Sequence, residues 1–151
     1  MSIFSTINTT TSALTAQRLR MDVISSNIAN VDTTRAKNVN GEWEPYRRKT
    51  VTLQSEEGKF SNFLNAAVGK SEGVGRGVKV SKIEEDNTTP FKFVYQPDHP
   101  DANEEGYVQL PNVDVLKEMV DLISATRSYE ANITVLNANK AMLSKALEIG
   151  K

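Results

Sequence analysis

The chain has 151 residues, 38% of them hydrophobic, and its 18 basic and 19 acidic side chains leave a net charge of −1. That apolar content is modest for one large core, and the near balance of charge provides no field to gather nucleic acid or an anionic membrane. The absence of cysteine excludes disulfides and thiolate metal sites, and no apolar run approaches the roughly 20 residues that span a bilayer.

Met1 to Thr15 has neither the basic start nor the unbroken apolar stretch of a secretory signal, so any passage out of the cytoplasm is expected to need no cleaved signal peptide. Ile3, Ile7, Thr10, Leu14, Gln17, Met21, Ile24, Ile28 and Val31 recur at spacings of three and four. This pattern predicts an amphipathic helix from about Ser5 or Thr9 to Asn30. Thr9, Thr10 and Thr11 are weak helix formers, since β-branched side chains lose rotamer freedom there. Asn27, Asn30, Asp32, Thr33 and Thr34 end the helix by competing for backbone hydrogen bonds.

The middle has no helical period. Asn40-Gly41 is a turn signal within a polar run, and Tyr46 to Leu53 reads as a strand. Residues 54–77 are expected to form a flexible loop anchored by Phe60, Phe63, Leu64 and Val68. Gly77 to Ile83 and Phe91 to Tyr95 alternate apolar and polar residues, and are expected to pair antiparallel across the turn Glu84 to Pro90. Tyr107 to Leu110 is a last short strand.

A second helix is predicted from Asn112 as its cap to about Ile149, with Asp114 and Glu118 near the positive end of its dipole and no Pro or Gly inside. Its seam is Val115, Met119, Leu122, Thr126, Tyr129, Ile133, Leu136, Lys140, Leu143 and Leu147. Leu116, Val120 and Ile123, then Ala138, Met142, Ala146 and Ile149, form a second flank. Together they are wider than a two-helix seam can cover. The fold class is therefore α+β: long N- and C-terminal helices paired as an antiparallel, coiled-coil-like hairpin, with a small antiparallel β-rich middle.

Motifs with chemical potential reduce to local structure. Gly73-Val74-Gly75-Arg76-Gly77 lacks the spacing of a phosphate loop. His99, the single histidine, lies in Pro-Asp-His-Pro-Asp, a turn sequence without converging ligands. Arg47-Arg48-Lys49 reads as a solvated edge strand rather than a single-stranded nucleic acid site. No nucleophile, base and oxyanion donor can be assembled, so neither catalysis nor a cofactor or metal is expected.

Ser25-Ser26-Asn27-Ile28-Ala29-Asn30-Val31-Asp32-Thr33 resembles the asparagine-rich signature of the bacterial flagellar basal-body rod and hook proteins, whose form is SxNIANxxT. Gly106-Tyr107-Val108, Pro111 to Val115, Glu118-Met119-Val120 and Ser128 to Asn132 are similar to the proximal-rod members, as is Ser12 to Gln17. Where other members carry Gly-Phe or Gly-Tyr after the signature, this chain has Thr34-Arg35-Ala36. The resemblance implies a structural subunit of the rod, with helical assembly segments at 1–34 and 112–151 and an outward-facing β-rich region at 35–111. It implies assembly through Leu14, Met21, Ile24, Asn27, Ile28, Asn30, Met119, Leu122, Ile123, Tyr129, Asn132, Ile133, Leu136 and Leu143. It also implies type III export signalled near Phe4 and Ile7, and as partners copies of itself, other rod subunits, a FliE-type hook–basal body junction protein and the export gate. The competing reading is a helical adaptor that offers its apolar flank to one partner.

Overall fold

The computed structural model describes residues 3–39, 41–56 and 77–149. Helix α1 is Ile3–Ala29. Strands β1 (Lys37–Val39), β2 (Glu42–Glu44), β3 (Lys49–Ser55), β4 (Val78–Glu85), β5 (Lys92–Tyr95) and β6 (Tyr107–Leu110) follow, and helix α2 is Val115–Ile149. Most of the expected loop, with Phe60, Phe63, Leu64, Val68 and the glycines before Gly77, lies outside the described residues, as does Asn40.

Helix α1 begins earlier than its threonines predict. The hydroxyls of Thr9, Thr10 and Thr15 donate to the carbonyls four residues back, at 2.9, 2.8 and 3.0 Å, so the polar groups that weaken helices elsewhere are satisfied within this one. At its end the Asn30 side chain donates to the Ser26 carbonyl at 2.8 Å and accepts from the Thr33 hydroxyl at 3.2 Å, which closes the last turn. Helix α2 is capped by Asp114, not Asn112: the Asp114 carboxylate accepts from the Leu116 N–H at 3.1 Å.

Among the described residues the strands form three two-stranded sheets, β1–β2, β3–β4 and β5–β6. The expected pairing of β4 with β5 is not made. The segment after β4 is held elsewhere, because the Asn112 side chain donates to the carbonyls of Asp86 and Thr89 at 2.9 and 3.0 Å. β5 instead meets β6, with Val94 opposite Val108 and Tyr95 opposite Tyr107. The β1–β2 ribbon turns at Gly41, whose φ of 96° is open to glycine at little cost, and the Asn38 side chain accepts the Gly41 N–H at 3.0 Å.

The chain divides into two compact units, and each long helix contributes a stretch to both. One unit comprises Arg20–Val51 and Ile83–Ser124, and its apolar core is Ile24, Tyr46, Val108, Val113 and the buried Pro111. The other comprises Met1–Leu19, Thr52–Lys82 and Ala125–Lys151, and buries Thr10, Ala16, Ala125 and Asn139. In that unit the backbone at Gly77 and Val78 lies against α1. The Val78 N–H donates to the Ser12 hydroxyl at 3.1 Å, and a Cβ on Gly77 would stand 2.3 Å from the same oxygen.

Candidate assembly surface

Within the Arg20–Val51 and Ile83–Ser124 unit, the first asparagine of the signature is the hub of a buried polar knot. Asn27 is 1% exposed. Its amide nitrogen donates to the Lys49 carbonyl at 2.9 Å and to Glu118 Oε2 at 3.0 Å. Its amide oxygen accepts from the Tyr46 hydroxyl at 3.0 Å and the Lys49 N–H at 2.9 Å. Both donors and both lone pairs are used, so Asn27 pairs with the β3 backbone as a neighbouring strand would, and ties it to α2.

Glu118 is fully buried, and its second oxygen accepts from Arg48 Nε at 2.6 Å. A carboxylate in that position is tolerable only when paired and hydrogen-bonded, which Arg48 and Asn27 together provide. Asp121 extends the chain of charges, 3.6 Å from Arg48 Nη2 and 3.3 Å from Arg20 Nη2. Asn112 anchors the other end, its oxygen accepting the Arg48 N–H at 2.7 Å. Lys92 Nζ donates to the Val113 carbonyl at 2.8 Å.

The basic cluster is thus spent inside the unit rather than solvated. Arg48 serves Glu118, Arg47 lies over the Phe91 ring at 4.3 Å, and Lys49 lies over Tyr46 at 5.6 Å. His99 acts within its turn, where Nδ1 accepts the Asp101 N–H at 3.1 Å. Tyr46, Arg48, Asn112 and Glu118 were not among the residues singled out for assembly. The available signal was an acidic residue at position 118, three residues after Val115 and four before Leu122 on the same helical line.

The knot fixes which face of α2 turns inward. A sheltered line runs through Val115, Glu118, Leu122, Ala125, Tyr129, Asn132, Leu136, Asn139 and Leu143, alternating by three and four as in a coiled-coil seam, with Asp121, Thr126 and Ser128 half-buried beside it. The predicted seam shares Val115, Leu122, Tyr129, Leu136 and Leu143 with this line. At the alternate places, however, Glu118, Ala125, Asn132 and Asn139 stand where Met119, Thr126, Ile133 and Lys140 were expected. Moving every second seam position back by one residue turns the helix by about 50°.

The consequence is a mixed inner line, in which polar and small side chains alternate with large apolar ones, while other large apolar side chains are left outside. Leu116, Met119, Val120 and Ile123 are 76%, 49%, 66% and 59% exposed, at the i, i+3, i+4 and i+7 spacing of a single helix face. Further along α2, Ile133, Val135, Met142, Leu147 and Ile149 are also exposed. Of the assembly residues named from the sequence, Met119, Ile123 and Ile133 are therefore on the surface. Leu14, Met21, Ile28, Asn30, Leu122, Tyr129, Asn132, Leu136 and Leu143 are half-buried, and Ile24 and Asn27 are buried within the chain. Phe4 is exposed and Ile7 half-buried. Among the described residues no helix is long and apolar enough to cross a membrane.

Comparison with known proteins accords with these features. The family described as Flagella basal body rod protein matches residues 7–37, and that described as Flagellar basal body rod FlgEFG protein C-terminal matches residues 104–149. The flagellar basal-body rod protein FlgC of Bacillus subtilis is 66% identical over 151 residues, covering all of both chains. FlgC of Borreliella burgdorferi is 45% identical over 99% of this chain and 98% of its own, and FlgC of Salmonella typhimurium 44% identical over 93% and 92%. A full-length match at this identity places the chain, whose signature asparagine is buried in the knot described above, in the family of FlgC flagellar basal-body rod proteins.

Proposed function

We propose that the chain is a structural subunit of the bacterial flagellar basal-body rod, polymerising through its terminal helices into the hollow shaft that transmits motor torque. The observation that carries this reading is the exposed line Leu116, Met119, Val120 and Ile123, a contiguous apolar face on a charged helix that burial against neighbouring subunits would stabilise. Family membership supports the rod as the place of assembly.

In this reading α1 and α2 pair as an antiparallel, coiled-coil-like hairpin. The Asn27–Glu118 and Arg20–Asp121 bonds support that direction where they occur, since the α1 residue number rises as the α2 number falls. Segments 1–34 and 112–151 carry assembly, while 35–111 faces outward. The half-buried Leu14, Met21, Ile28, Leu122, Tyr129, Leu136 and Leu143 hold the pair together, and Met119, Ile123 and Ile133 meet neighbouring copies or other rod subunits. Export through the flagellar type III gate, signalled near Phe4 and Ile7, and contact with a FliE-type junction protein complete the proposal.

The test is motility after charge is placed on the exposed face. Ile133→Asp and Val120→Asp are expected to abolish swimming while the purified variants unfold as the parent does. Full motility in both would end the assembly role of this face. Stoichiometry separates the adaptor alternative, because a rod subunit is retained in several copies in isolated basal bodies and an adaptor is not.

A further inference from the structure

The unit formed by Arg20–Val51 and Ile83–Ser124 carries an open cleft of about 910 Å³, with no residue of α2 in its described lining. Its lining includes Glu42, Trp43 and Glu44 from β2, and Phe91, Asp101 and Tyr107 from the segments around β5 and β6. Three carboxylates and three aromatic rings stand in that lining, and no lysine, arginine or histidine is among its described residues.

Two of the carboxylates already hold guanidinium groups. Asp101 accepts from Arg35 Nε at 2.6 Å, and Glu44 lies 3.9 Å from Arg47 Nε. Arg47 also shows what this lining recognises, since its guanidinium carbon stands 4.3 Å from the centroid of Phe91, a cation held between a ring and a carboxylate. Glu42 has no ion pair among the described residues, and in the same cleft Tyr107 and Trp43 remain 42% and 56% exposed.

We infer that this cleft is a docking site for a polypeptide segment that presents an arginine, its guanidinium pairing with Glu42 and lying against an aromatic ring of the lining. A planar guanidinium suits both demands, because it forms forked bonds to a carboxylate and stacks on an aromatic face, whereas an ammonium does only part of this. The cleft shares no lining residue with the exposed line Leu116, Met119, Val120 and Ile123, so it would add a second contact to an assembling subunit.

Trp43 is the only tryptophan in the chain, which makes its fluorescence a local reporter. The full chain, at low salt, is titrated with a blocked pentapeptide containing one arginine, with its citrulline counterpart, and with a neutral chitooligosaccharide. A saturable change with the arginine peptide is expected, about fivefold weaker with citrulline and about fivefold weaker in Glu42→Gln, and diminished by added salt. Glu42 is exposed, so the variant should retain its fold, and unchanged far-UV circular dichroism in Glu42→Gln and Glu42→Lys checks this. Absence of a saturable change, equal response to citrulline, undiminished binding by Glu42→Gln, or preference for the oligosaccharide would each overturn the assignment.

Discussion

Asn27 occupies all four hydrogen-bonding positions of its amide, with Lys49 taking two, Tyr46 one and Glu118 one. Asn27→Ala strands both backbone groups of Lys49 and removes one of the supports of a buried carboxylate, which is expected to cost about 2–4 kcal/mol in urea unfolding. Asn27→Asp is expected to cost more, since it removes the two donors and sets a second carboxylate against Glu118. Part of that excess should vanish when Glu118→Gln is combined with it, a coupling that a double-mutant cycle measures. Asp86 illustrates the opposite case, a carboxylate at the surface. The hydroxyls and N–H groups of Thr88 and Thr89 hold it well below the usual carboxylate range, and Arg35, then Thr34, lower Asp101. A lowered folded value stabilises the chain above the ordinary value of 3.8, and this is lost as pH falls through the folded one. The decline in stability below pH about 4 should therefore be shallower in Asp86→Asn, as acid titration of the circular dichroism signal would show.

Helix α2 was legible as an element, down to its length, because apolar residues recur along it without an interrupting Pro or Gly. Its rotation was not. Periodicity weighs side chains by hydrophobicity, so it chose Met119 and Ile133 for the inside. The structure places Glu118 there because Asn27 and Arg48 satisfy it, and Ala125, which is fully buried. This distinction can be measured. Leu122→Ala, on the sheltered line, is expected to lower stability by about 1–3 kcal/mol, whereas Val120→Ser, on the exposed line, should change it by less than about 0.5 kcal/mol. Equal losses from the two in thermal unfolding would contradict the rotation. The strands show the same limit. β3, β4 and β5 were recognisable from alternation and β6 as a short strand, but not the pairing of β4 with β3, because alternation specifies a half-buried strand without specifying its neighbour. The β1–β2 ribbon announced itself only as a turn, since Lys37–Val39 and Glu42–Glu44 are too short and polar to carry a strand period.

At the scale of the whole molecule, the compact units do not follow the order of the chain. The unit of Arg20–Val51 and Ile83–Ser124 holds the Asn27 knot with all of its partners, and the remaining stretches of both helices belong to the other unit. A chain ending at Ser124 is accordingly expected to keep the knot, read as slow hydrogen exchange of the Lys49 amide, and yet to fail to restore motility to a strain lacking the full protein. Loss of that protection would show that the unit depends on the last part of α2. The sequence by itself determined the two terminal helices, the β-rich character between them, the surplus of apolar surface on the second helix and the family signature. All of these are local patterns, written in residues within a few turns of one another. Only the tertiary structure decided what the signature asparagine does, which face of α2 is turned outward and which strands are neighbours. These depend on hydrogen bonds between residues as distant as Asn27 and Glu118, whose burial is possible only because each satisfies the other.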